Sequence, residues 1–200
     1  MNTQNEINTD SHIQYYSFRE YYKALLLIYK SIPVLRKNKK EHYISEQFIE
    51  RIMLAVTEVN GCAVCSYAHT KMALKQGVSS DEIEGFLSGN DAYISPDEAK
   101  AILFAQHYAS EKGEYDKNAF RTVLDEYGQQ KASVILAAIR MIMVGNISGI
   151  PLSAFSSRLK GKPYTHSSVA YELGMILSTL VLLPVSFIHS LFIIGKKELR

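Results

Sequence analysis

Cysteine is scarce in this chain: Cys62 and Cys65 are the only two among 200 residues. So few cysteines exclude a disulfide-stapled scaffold. Concentrated charge is missing as well. The net charge is +2, and the one basic run, "RKNKK" at Arg36–Lys40, reads as a solvated helix end rather than a nucleic-acid patch, so no nucleic-acid partner is expected. The opening residues, "MNTQNEINTDSH", hold no apolar segment, so no secretory signal is expected and the chain reads as cytoplasmic. Nor does any stretch longer than four residues alternate as a strand would.

What remains is an ordinary globular composition, 47% apolar and 21% charged, long enough for one buried core. Its apolar spacing is helical almost throughout. Residues 1–16 read as a flexible tail, and 17–200 as a single all-helical domain. A first amphipathic helix is expected over Ser17–Lys30, checked near Pro33. A second, over Ser45–Val59, has Phe48, Ile49, Ile52, Met53, Val56 and Val59 every three or four positions. Asn60-Gly61 then marks a turn. A third runs from Cys62 to Gly77. Two more open on capping chemistry, Ser79 with Glu82, and Ser95 with Pro96 and Glu98. Further helices are expected at 117–127 and 129–144. Tyr15, Tyr22 and Tyr29 share a heptad spacing that marks a buried or subunit-facing stripe.

From Leu173 to Ile194 no Asp, Glu, Lys or Arg occurs. That length meets the rule for a membrane span, but Pro184 and five polar side chains interrupt it. Two helices joined at a proline, buried in the core or between subunits, fit the segment, and membrane attachment is not expected. Shifting the chain by 84 residues also lays a weak repeat over itself, with Gly145 on Gly61, Gly149 on Cys65 and Ser153 on His69. If it marks a duplicated helical hairpin, the second copy has lost its thiols and imidazole; similar helical periods also align by chance.

The chemistry sits in "TEVNGCAVCSYAHTK". Cys62 and Cys65, three apart, share one helix face, and His69 lies one turn beyond Cys65. A free thiol is only about 3% thiolate at neutral pH. The positive end of a helix and a neighbouring imidazole both favour the thiolate. Two thiols at this spacing can close a disulfide, as in a dithiol–disulfide catalyst. The histidine needs a carboxylate to orient it. If the chain folds back at Asn60-Gly61, Glu50 lies ~15 Å up one arm and His69 ~12 Å down the other, nearly level. Glu58, the rival, lies too near the pivot. Two other readings stand beside this one. The cysteines could be small core residues, or ligands of a zinc ion lacking a fourth partner, so no metal or cofactor is expected. His12, His42, His107, His166 and His189 have no evident partners in sequence.

Glu50, then Cys-x-x-Cys-x-x-x-His beginning twelve residues on, resembles the alkyl hydroperoxidase D branch of the carboxymuconolactone decarboxylase family. The likeness continues through "KMALKQGVSSDEIEGFL" and covers residues 40–160 in outline. It implies an all-α bundle assembled as a trimer or hexamer. Cys65 would attack a peroxide or disulfide, Cys62 would resolve the product, and Glu50 and His69 would relay the proton. A dithiol reductant or peroxiredoxin-like partner would complete the cycle. One position departs from the pattern: Val64 stands where the best-known members carry a histidine, which weakens or redirects the peroxidase expectation. A decarboxylase of the broader family, or a non-catalytic helical oligomer attached to membrane through 173–194, are the alternatives.

Overall fold

The computed structural model describes residues 12–88 and 94–194. These form seven helices and, among the described residues, no strand: α1 (Phe18–Glu41), α2 (Glu46–Asn60), α3 (Ala63–Lys75), α4 (Ser80–Leu87), α5 (Ala99–Ser110), α6 (Lys117–Leu159) and α7 (Val169–Ile194). The all-α expectation holds.

Local chemistry sets most of the helix starts. Ser17 and Glu20 form a reciprocal capping box at α1. Ser45 Oγ accepts from Phe48 N–H at α2, and Ser79 Oγ accepts from Glu82 N–H at α4. The expected cap at Ser95 does not form. Residues 95–98 make a turn and α5 starts at Ala99, because the Glu98 carboxylate is held by Arg51 through two hydrogen bonds of 2.6 Å. A bidentate charged pair outweighs a neutral cap.

Three expected boundaries move. α1 continues through Pro33 to Glu41, and "RKNKK" is the solvated end of this helix, as expected. A proline removes one helical hydrogen bond, and packing of α1 on both α6 and α7 is enough to carry the helix past it. Gly128 (φ 72°, ψ 165°) does separate 117–127 from the next helical segment, but that segment runs to Leu159 instead of 144. The duplicated hairpin is therefore absent, since the chain stays helical across Gly145. Likewise α7 is one helix through Pro184, not two.

The core is built around α6, whose apolar stretch from Ala132 to Ala154 packs against α1, α2, α3, α5 and α7. Both α6 and α7 are long and apolar enough to cross a membrane. They differ in burial: 67% of the apolar window of α6 is inside the protein, against 17% for α7. Burial of the 173–194 segment within the chain is thus confined to one face. That face meets the tyrosine stripe. Tyr15 packs edge-on to Tyr171, Tyr22 Oη lies 2.7 Å from His189 Nδ1, and Tyr29 donates to the Leu183 carbonyl at 3.0 Å. His189, without an evident partner in sequence, is half of one of these contacts. Residues 1–11 of the expected tail lie outside the described residues. Gln14 and Tyr16 are held, Gln14 N–H by the Asn60 carbonyl and Tyr16 as a buried ring.

One ion pair ties α7 to α6. Glu172, fully buried, accepts from Arg158 at 2.7 and 2.8 Å and from Ser167 Oγ at 2.8 Å. These donors, the guanidinium foremost, hold its carboxyl below the usual range. A depressed carboxyl contributes stability that is complete above the ordinary value near ~4.3 and disappears as pH falls through the folded value. The difference in melting temperature between wild type and Glu172→Gln should therefore be largest near neutrality and shrink below about pH 4. A difference that stays constant down to pH 3 would show that the pair carries no such contribution.

Candidate functional site

The site is assembled at the junction of α2 and α3. Gly61 closes α2 in the left-handed region (φ 69°, ψ 32°), its N–H reaching the Thr57 and Glu58 carbonyls. A side chain would be strained at this φ. It would also press on the backbone of His12 and Ile13, at 3.1 Å. That stretch of chain is fixed in turn by Tyr16, whose hydroxyl donates to Asn60 Oδ1 at 2.6 Å. Burial pushes the Tyr16 phenol up, so it remains a donor.

Past the turn, Cys62 is the N-cap residue of α3 and Cys65 lies in its first turn. The structure joins them as a disulfide pair with Cα atoms 5.3 Å apart. Both are buried, Cys62 at 1% and Cys65 at 8% exposure. The helix start places unpaired N–H groups and the positive dipole end beside both sulfurs.

The fold-back brings Glu50 and His69 together. Glu50 Oε2 lies 2.8 Å from His69 Nδ1, and both side chains are largely covered. A carboxylate only accepts, so Nδ1 carries the hydrogen and Nε2 is left as the nitrogen able to exchange a proton. Glu50 sits among Ile49 and Ile52, where a carboxylate without a partner would be costly. The neighbouring cation does not compete for it. Arg51 points the other way, to Glu98 and to Glu82 at 3.2 Å. The structure thus pairs Glu50 with His69 and Cys62 with Cys65, on adjoining stretches of α2 and α3. No group of three or more His, Cys, Asp or Glu side chains among the described residues is placed to hold a metal ion. The outer side of α3 is open and partly apolar, with Val64, Tyr67 and Met72 exposed and Lys71 over the Tyr67 ring.

What sequence reasoning missed lies on α6. Gly149 packs against the pair so closely that a Cβ there would meet Cys62 Sγ at 2.7 Å and Cys65 Sγ at 2.8 Å. One turn earlier Asn146 accepts from Thr57 Oγ1 at 3.2 Å in full burial. One turn later Ser153 Oγ accepts from Val64 N–H at 3.3 Å, satisfying an open donor of the α3 start.

Alanine is the better helix former by about 1 kcal/mol, yet Gly149→Ala should destabilise the protein, by about 1–3 kcal/mol, since overpacking at two sulfurs outweighs propensity. Urea denaturation checks it, and a gain in stability would contradict the close approach.

With this geometry in view, comparison with known proteins gives one match. No curated protein and no solved structure matches the chain. The model of the carboxymuconolactone decarboxylase family matches residues 36–107, the span that holds Glu50, Cys62, Cys65 and His69.

Proposed function

We propose that the chain is a cytoplasmic thiol-dependent oxidoreductase of the alkyl hydroperoxidase D-like kind, reducing a peroxide at Cys65 and cycling through a Cys62–Cys65 disulfide. The observation that carries this reading is the Glu50–His69 hydrogen bond, set one helical turn from a cysteine pair at a helix start. The family match by itself is compatible with a decarboxylase as well. Decarboxylation of a lactone acid needs an acid–base pair but no thiols, so the paired sulfurs under Gly149 would have no task in it.

In the reduced protein the Cys65 thiolate attacks one peroxide oxygen. The O–O bond breaks, the alkoxide takes a proton through His69 and leaves as the alcohol, and Cys65 becomes a sulfenic acid. The Cys62 sulfur then attacks the Cys65 sulfur. The S–O bond breaks, and water leaves with the Cys62 proton and the hydroxyl of the sulfenic acid. An external dithiol returns two electrons and two protons by exchange through a mixed disulfide, itself becoming a disulfide. Glu50 holds the imidazole in the tautomer that presents Nε2. The short Cys62–Cys65 spacing makes the resolving step intramolecular.

A pulse of one equivalent of cumene hydroperoxide on the reduced protein, followed by alkylation and mass spectrometry, tests the reading. Wild type should lose both alkylatable thiols and regain them with a dithiol. Cys62→Ser should stall as a sulfenic acid at Cys65 that dimedone traps, and Cys65→Ser should not consume peroxide. If native wild type keeps two alkylatable thiols after the pulse, the redox reading fails.

A further inference from the structure

The face of α7 turned away from α1 has no covering in the single chain. Among the described residues, eleven large apolar side chains of α7 are exposed, Leu180 at 74% and Phe192 at 72% among them. At 100° per residue, Leu173, Leu177, Leu180, Val181, Ile188 and Phe192 fall on one arc of roughly 120°, and no charged or hydroxyl side chain interrupts it. The hydroxyls of the segment point elsewhere. Ser186 and Ser190 are buried, and Thr179 meets Tyr21 at 3.2 Å. Covering these side chains would remove on the order of 1,000 Å² per copy, well above the apolar patch of a typical monomer and close to one side of a stable protein interface.

We propose that this face is a homodimer interface, with α7 of one copy packed antiparallel on α7 of a second copy. Two-fold pairing suits the residue distribution. A pivot between Leu182 and Leu183 lays Phe192 of one copy over Leu173 of the other, large against medium, with Val181 opposite Pro184 and Leu180 opposite Val185. A bilayer is the poorer occupant on two counts. To span it, α7 would have to leave α1, giving up Tyr21–Thr179, Tyr22–His189 and Tyr29–Leu183. To lie in its surface, α7 would need basic side chains along its polar face, and residues 169–194 contain no Lys or Arg, the nearest in sequence being Lys196 and Lys197. The proposal is independent of the chemistry at the cysteine pair.

Sedimentation equilibrium of the full chain in detergent-free buffer, with vesicle flotation alongside, decides it. Wild type should sediment at twice the 22.5 kDa chain mass or an even multiple of it. Leu180→Glu and Ile188→Glu should halve that mass while keeping a helical circular dichroism spectrum. Leu103→Glu, at an exposed apolar site on α5, should leave it unchanged. Should the charged variants not fold, the wild-type concentration series and Leu180→Ser decide instead. A monomer at tens of micromolar (the range of a weak dimer), association that survives both α7 substitutions, or co-flotation with phosphatidylcholine–phosphatidylglycerol vesicles would each overturn the proposal.

Discussion

The left-handed turn at Gly61 is the constraint on which the rest of the site depends. It reverses the chain within one residue, so α2 and α3 run side by side and a carboxylate twelve positions before Cys62 comes level with an imidazole seven positions after it. It also ends α2 where α3 must begin, which leaves Cys62 at a helix start where Ser153 takes the Val64 N–H. The cost of the unusual backbone conformation is small only because the residue is glycine, and contact with His12 and Ile13 leaves no room for a side chain in any case.

A second constraint works against the first from outside. α6 supplies Asn146, Gly149 and Ser153 on successive turns of one face, and each meets the α2–α3 junction. The absence of a Cβ at Gly149 lets a core helix press directly on both sulfurs. The pair is therefore held between a turn that positions it and a helix that covers it. That arrangement covers Cys62 almost completely and leaves Cys65 8% exposed, with the outer side of α3 open.

The α2–α3 hairpin was legible in the sequence because it depends on local terms: a capped amphipathic repeat, a turn dipeptide and a fixed rise per residue. That arithmetic alone separated Glu50 from Glu58. The contact from α6 was not legible, because nothing in "GNISGIPLSAF" distinguishes a glycine that breaks a helix from one that lets two elements approach. The same limit explains Pro33 and Pro184, which read as breaks but lie inside helices. Tertiary packing overrides a single lost hydrogen bond. At Ser95 the competing force was a salt bridge to Arg51, forty-seven residues from Glu98, which no local window contains. The tyrosine stripe was visible as a spacing, and only the fold revealed that its partner is α7.

The central claim is that Glu50, His69 and Cys65 act as one unit. The most direct measurement is the pH dependence of Cys65 alkylation in the reduced protein, compared across wild type, Glu50→Gln, His69→Ala and the double variant. Groups that act together are not additive. The account predicts that each single substitution slows alkylation and moves its midpoint to higher pH, and that the double variant is little worse than either. An unchanged curve for Glu50→Gln would contradict it, leaving the 2.8 Å contact a structural hydrogen bond with no bearing on the thiol.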